Sequence, residues 1–486
     1  FCLLTLPFQG SAMVQGKVSK VTALLSIGLM PLTFGTAFGF AFGNIGGAMS
    51  CDAFNIFYKS PDNEMQQLIA AMLPMGAILG SLCGGTFADK YGRNAASLFA
   101  SVLFVCGSVV LGMPLINIES LAPLLIGRGM IGAGAGIAFM SVPAYVCELS
   151  APSYRGAMAS SISLAIALGF FCSYLCNWLV LTDYEEGWKW SMVVPLFPSL
   201  LFFLASSILP KSPRWAILNG AGPSVPIGIL QRLRTPEDDV SKEVAEIIED
   251  VRASKQYGSV FSPTYRLASI ISITVMMLQV ATGIDIILVY APQNFAKLIP
   301  SQSTKLFWTI LIGGVLVLSN CVACYVVDFI GRRALLLCGS AGMSLSLIGA
   351  AMSFHLKEMS VSDVETASGM GLAGVGCIAC SMLYVMFFSL SWGPVAFCIP
   401  SELVPSHIRA RVVALAAVCN WVADYVVVAS YLSVVSLVAE PGAFLIYAMI
   451  NIFALGFVWK YIPETKDMSL EDASRRLISQ KDFDTI

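Results

Sequence analysis

Asp89 and Arg93 stand four positions apart, Glu148 precedes Arg155 by seven, and both spacings return later in the chain as Asp328 with Arg332 and Glu402 with Arg409. The second copies carry one more cation each, Arg333 and Arg411. Opposite charges at helix ends can pair when an interface closes and separate when it opens, so these residues suit a gate. A plainer role is anchoring of helix ends at headgroup level. A third repeat sets Pro210-Lys211-Ser212-Pro213-Arg214 against Pro463-Glu464-Thr465-Lys466. Between these motifs, isolated polar residues interrupt apolar runs: Ser163, Gln279, Thr282, Asp285, Asn320, Asn420 and Asp424. Where water is scarce a polar side chain is costly unless it meets a partner or a ligand, so these are candidates for binding a polar solute. No covalent chemistry is implied. His355 and His407 have no nucleophile or ligand nearby in sequence, and no phosphate-binding glycine loop or metal-ligand spacing occurs. We therefore expect no enzyme activity, no metal and no cofactor.

The elements that must position these residues follow from composition. A chain of 486 residues with 57% hydrophobic and only 12% charged residues has too little polar surface to be soluble. Spans of roughly 20 apolar residues each fall near 21–43, 65–88, 95–115, 121–146, 157–181, 189–209, 267–290, 306–327, 334–354, 369–398, 409–436 and 441–461. Ten-residue alternation, the mark of a membrane barrel, is missing, so the expected fold class is all-α with twelve transmembrane helices. The repeated charge grammar divides them into two pseudo-symmetric six-helix halves, 21–209 and 267–462, with a polar linker at 210–266 and a tail at 463–486. Parallel repeats in a membrane protein point to a transporter. Small residues in Gly127-Arg128-Gly129 and from Gly132 to Gly136 would let neighbouring backbones approach closely.

Basic residues favour the cytoplasmic side of short loops. With the N-terminus inside, only Lys59, Lys189, Lys297, Lys305 and Lys357 lie outside and Arg128 lies within a span; Lys17, Lys90 and the motif arginines are inside. Both termini are then cytoplasmic, and we expect the plasma membrane rather than an organelle. The net charge of −2 gives no reason to expect a nucleic-acid partner, and no obligate protein partner is evident; the expected partners are a small solute and lipid. In the linker, Val240, Val244, Ile247, Ile248 and Val251 recur at helical spacing, predicting an amphipathic helix over Val240 to Lys255. It could latch the two halves, and Arg232, Arg234 and Lys242 could touch anionic lipid. The Cys residues, such as Cys321 and Cys324, are scattered, mostly within spans, and form no disulfide framework. The start, Phe1 to Pro7, is apolar but lacks the flank of a secretory signal and is expected to be a truncation.

The motifs Gly85-Thr-Phe-Ala-Asp89-Lys-Tyr-Gly-Arg93, Pro143-Ala-Tyr-Val-Cys-Glu148-Leu, Arg155-Gly156, Ser212-Pro213-Arg214-Trp215, Asp328-Phe-Ile-Gly-Arg332-Arg333, Pro400-Ser-Glu402-Leu and Pro463-Glu464-Thr465-Lys466 occur in one order along the chain. Together they resemble the sugar porter branch of the major facilitator superfamily, which includes the facilitative glucose transporters, from about Phe34 to Asp472. The resemblance implies a central site between two halves and alternating access. It also implies that Gln279, Asp285, Asn420, Asp424, Trp392 and Phe397 lie on or beside positions that bind sugar hydroxyls or line the cavity, with Trp421 close by; for the aromatics, ordinary helix packing is the plain alternative.

Departures from the family pattern carry their own expectations. The usual pair of Gln is reduced to Gln279 followed by Val280, and Ser163 replaces a Gln in the fifth span. Asp285 and Asp424 stand where glucose carriers commonly have Asn. Ala41, in Phe38-Gly39-Phe40-Ala41, replaces the Asp of proton-coupled members and cannot titrate. The leading expectation is therefore facilitated diffusion of a monosaccharide, a hexose or related polyol. The alternatives are proton-linked symport of a sugar, polyol or other small solute through Asp285 and Asp424, and a transporter-like sugar sensor.

Overall fold

In the computed structural model, residues 20–151, 155–182, 184, 186–234, 239–253, 260–262, 265–296, 298–299, 301–359, 371–404, 406–464 and 466 are described. Phe1 to Pro7, Lys17, Lys255, Lys297, Thr465 and the tail from 467 lie outside them, as do the side chains of Arg155, Asp328 and His407. Helices account for nearly all of the described chain. The first part holds α1 (Lys20–Met49), the short α2 (Asp52–Phe57), α3 (Asn63–Tyr91), α4 (Arg93–Leu111), α5 (Ala122–Leu149), α6 (Arg155–Leu181), α7 (Gly187–Val193) and α8 (Leu196–Ile208). Three amphipathic or short helices follow, α9 (Pro213–Leu218), α10 (Ser224–Gln231) and α11 (Val240–Ala253). The rest is α12 (Arg266–Ala281), α13 (Ile284–Ala296), α14 (Gln302–Ile330), α15 (Arg332–Met359), α16 (Leu372–Leu390), α17 (Trp392–Leu403) and α18 (Ser406–Tyr461).

Three pairs of helices, α7 with α8, α12 with α13 and α16 with α17, each make one span. Ala439, at φ 58° and ψ 175°, bends α18 into two. With α1, this gives the twelve spans expected.

Helix ends follow local chemistry. Asp62 accepts from the Met65 N–H at 2.8 Å and so caps α3. Gly92 ends α3 and begins α4 at φ 100°, ψ 152°, and Gly331 does the same between α14 and α15 at φ 100°, ψ 153°. Only glycine adopts that geometry without strain, which is why both copies of the motif carry it. The arginine after each glycine turns back on its own helix pair: Arg93 Nη1 donates to Ala88 O at 3.2 Å and Arg332 Nη1 to Val327 O at 3.4 Å. Each also reaches a carboxylate on a more distant helix, Arg93 Nε to Glu148 at 3.3 Å and Arg332 Nε to Glu402 at 3.2 Å. The third motif then covers each turn. Trp215 lies over Gly92 and donates its indole N–H to Asp89 O at 3.0 Å, whereas Glu464 accepts from the backbone N–H groups of Arg332 and Arg333. A carboxylate on the first N–H groups of a helix is well placed electrostatically.

These pairs are only 12–19% exposed at Arg93, Glu148, Arg332 and Glu402. Arg332→Ala removes a charge-assisted bond of about 1.5–3 kcal/mol, so a lower thermal midpoint in detergent is expected; an unchanged midpoint would show the clamp to be idle.

Within the first half α1 packs along α6 and α3 along α5; within the second α15 packs on α16 and α18, and α12 on α18. Between halves, α3 meets α18, α6 meets α14 and α1 meets α13. The hydrogen bonds that cross these contacts cluster at the end opposite the charged motifs. Gln67 bonds Ser433 at 3.0 Å, Gln293 donates to Gln66 at 3.0 Å, Trp178 to Ser303 at 3.3 Å, and Lys305 Nζ to Ser50 O at 3.2 Å. The linker helices dock on the first half: Ser212 donates to Glu148, and Arg234 bridges Leu149 O at 2.7 Å and Glu243 at 2.6 Å. Arg234 is thus a buried scaffold residue.

Candidate functional site

The seventh span breaks in its middle. Gly283 has φ +99° and separates α12 from α13. The break leaves the Thr282 carbonyl without a helical partner, and two buried donors from elsewhere take it: Tyr384 Oη at 3.0 Å and Asn451 Nδ2 at 3.0 Å. Thr282 Oγ1 donates back to Gln279 O at 2.7 Å. The tenth span breaks likewise at Ser391, φ −128° and ψ −83°, between α16 and α17. Broken spans are the usual way to bring polar backbone to mid-depth, where it lines a cavity or is held by neighbours.

Gln279 joins the two breaks to α18. Its Nε2 faces the carbonyls of Trp392 and Gly393 at 3.5 and 3.3 Å, long enough to be weak, while its Oε1 accepts from Asn420 Nδ2 at 3.0 Å. Asn420 Nδ2 also donates to Met276 O at 2.7 Å. One turn further on α18 lies Asp424, 2% exposed; across from it is the partly accessible Asp285, in the first turn of α13. The structure thus joins Gln279 to Asn420 at mid-depth of the second half, with Asp424 one turn beyond Asn420 on α18 and Asp285 just past the Gly283 break.

Other expected site residues stand elsewhere. Trp392 is fully buried, its indole N–H donating to Ser340 Oγ at 2.8 Å, so its ring packs on α15 and only its carbonyl faces Gln279. Phe397 is 45% exposed on α17. Ser163 lies half-buried on α6. Asn320 bonds its own helix at Leu316 O, 2.8 Å away. Trp421, beside Asn420, packs edge-on against Phe38 of α1 at 5.9 Å and Phe139 of α5 at 5.3 Å, an aromatic contact that crosses between the halves.

The charged motif residues are drawn together within each half. Arg93 pairs with Asp89 at 3.0 Å and with Glu148; Arg332 pairs with Glu402. Arg333 donates to Trp459 O at 2.7 Å and lies over that indole; Arg409 donates to Val404 O at 3.1 Å; Arg411 is exposed.

Sequence reasoning missed the role of Arg128, which it counted only as a cation inside a span. Arg128 is 2% exposed and donates from Nε to Ile69 O at 2.6 Å, from Nη2 to Ala70 O at 3.0 Å and from Nη1 to Ala41 O at 3.4 Å. Pro74 has no N–H for the Ala70 carbonyl, so the arginine occupies an acceptor that proline has left open. The available signal was a proline four residues after Ala70.

A twelve-helix membrane fold with broken seventh and tenth spans and a polar cluster between them narrows the comparison to carriers. Residues 27–477 match the family model described as sugar (and other) transporter. The chain belongs to that family. A relative named as a metabolite transport protein, YwtG of Bacillus subtilis, is 32% identical over 91% of this chain and 93% of its own. The galactose-proton symporter of Escherichia coli is 27% identical over 96% of each chain. Among solved structures, the inward open conformation of the xylose transporter XylE from E. coli matches at a TM-score of 0.77 and 25% identity, covering 93% of this chain and 99% of that one. Sugar transporter membership makes the protein an integral multi-pass carrier and excludes the enzyme class.

Proposed function

We propose that this protein carries a monosaccharide, a hexose or a close polyol, across the plasma membrane by alternating access, with both termini and the charged motifs on the cytoplasmic side. The observation that carries the reading is the Gln279–Asn420 pair, two amides held at 3.0 Å on different helices beside two span breaks at mid-depth. Paired amides offer both donors and acceptors, which suits a ligand whose hydroxyls are both. The names of the relatives favour the same cargo class. The cross-half hydrogen bonds at the end opposite the motifs support a state closed on the outer side. In that state the motif arginines clamp each half internally, and a cross-half network among Asp89, Arg93, Glu148, Arg155, Asp328, Arg332, Arg333, Glu402, Arg409 and Arg411 belongs to the opposite state.

The test is equilibrium exchange of labelled D-glucose by the purified protein in liposomes. Saturable exchange is expected, and Gln279→Ala should raise its half-saturation concentration about tenfold, the equivalent of one hydrogen bond of roughly 1.4 kcal/mol. Unchanged affinity in folded Gln279→Ala would remove Gln279 from the site; no exchange of glucose, galactose or a polyol by the parent protein would overturn the cargo class.

A further inference from the structure

We infer, resting on the transport reading above, that Tyr174 is a positioning residue: its hydroxyl latches α13 onto the first half through a carbonyl that Pro292 leaves open, and so sets how often the carrier opens to the outside. Pro292 lies inside α13 and has no N–H, so the Leu288 carbonyl four residues earlier loses its helical donor. A buried carbonyl without a donor is costly and is met by some other group. Here that group comes from the other half of the molecule. Tyr174 Oη of α6 donates to Leu288 O at 2.7 Å, and both residues are buried.

The second half also shapes the seat of the phenol. Its ring lies against Gly313 of α14, where an added β carbon would stand 2.9 Å from Tyr174 Cδ2 and 3.1 Å from the Phe171 α carbon. One carbonyl further along α13, Val289 O sits against Gly46 of α1, so close that a β carbon on that glycine would overlap it. The backbone of α13 is thus pressed on α1 while the phenol ties it to α6. The other cross-half bonds, at Gln67, Gln293, Trp178 and Lys305, stand within about a turn of a helix end. Tyr174 lies about two turns inside the end of α6, and Leu288 just over one turn past the Gly283 break, so this bond reaches deeper than they do.

The latch holds only in the state closed on the outer side. When α13 turns outward about the Gly283 break, the Leu288 carbonyl leaves the phenol and takes a donor from the water that enters. Without the hydroxyl, the closed state would bury that carbonyl unmet, while the open state would lose nothing there. Tyr174→Phe keeps the ring and its contact with Gly313. The outward-open population should therefore rise about tenfold, the scale of one buried acceptor left unsatisfied.

A native cysteine supplies the readout. Cys51, buried, follows Ser50, whose carbonyl is bonded by Lys305 across the interface, so parting of the halves on that side uncovers it. In the purified protein in liposomes, labelling of Cys51 by a membrane-impermeant maleimide, taken as the difference from Cys51→Ser, should be about tenfold faster in Tyr174→Phe. Tyr145→Phe is the control: it removes a phenol that donates to Pro210 O inside the first half, and its labelling should match the parent's. Pro292→Ala gives the Leu288 carbonyl back a helical donor, so on that background Tyr174→Phe should change the rate by less than about twofold. Equal labelling in Tyr174→Phe and the parent, the same acceleration in Tyr145→Phe, or an undiminished effect of Tyr174→Phe beside Pro292→Ala would each overturn the latch. No sugar enters this assay. A parent that exchanges no sugar therefore defeats the cargo reading and leaves the latch to the labelling, whereas saturable exchange with unaltered labelling defeats the latch alone.

Discussion

Gly136→Val is expected to leave almost no folded protein. The α carbon of Gly136 lies against α3, where an added β carbon would meet the Ala77 carbonyl and stand 2.6 Å from the Ser81 nitrogen. Both obstacles are backbone, which cannot rotate aside as a side chain can. The same helix pair is in similar contact at Gly132 against Leu73 and at Gly80 against Ala133, so a single bulky residue must separate two spans along much of their length. Ordinary overpacking costs about 1–3 kcal/mol; here the closely approached backbones that drive helix association in lipid are lost as well. Size-exclusion yield after mild solubilisation is the measurement. Gly85→Val is the control, because a β carbon there meets nothing within 4 Å; it should behave like the parent, and equal yields for both variants would refute the packing account.

The second large effect is expected at the break itself. Gly283→Val places a β-branched residue at φ +99° and pushes its β carbon to 3.0 Å from the Tyr447 ring. The backbone strain alone is worth about 1–3 kcal/mol, and the ring must move in addition. More consequentially, the adjacent Thr282 carbonyl, held by Tyr384 and Asn451, and Gln279 one turn earlier would lose their positions. Exchange should fall by at least about 100-fold, as misplacement of about 1 Å in a binding constellation can cost that much. Pairing the change with Tyr447→Ala relieves the contact but not the dihedral strain, so only part of the loss should return. Full recovery would assign the whole effect to Tyr447.

The spans, the linker helix and the paired motifs were legible in the sequence because each has a local signal: a run of apolar residues long enough for lipid, a helical period over Val240 to Val251, and a glycine followed by arginine at Gly92 and Gly331. The seventh-span break carried a weaker one, Thr282-Gly283 within an apolar run. Asp285 and Asp424 were legible as acids in lipid, but nothing in their spacing along the chain told that the helices carrying them would meet, since α13 and α18 come together only in the tertiary fold. The direction of Trp392 was hidden for a similar reason: an aromatic near polar residues in sequence can turn to either side of its helix, and this one turned to Ser340. Arg128 was hidden because its partners are carbonyls, which every residue possesses and no sequence displays.

The two halves share their glycine turns and arginine clamps, yet they differ in how they can bend. Among the described residues both departures from helical geometry within a span, Gly283 and Ser391, belong to the second half. In the described first half, α3 and α5 run through Pro74 and Pro143 without interruption, and Val194 and Pro195 keep helical dihedrals between α7 and α8. One copy is therefore an anvil of unbroken rods and the other a jointed jaw. Both halves are fastened alike at the ends that carry the charged motifs, while the joints beside the Gln279–Asn420 pair lie on one side alone among the described residues.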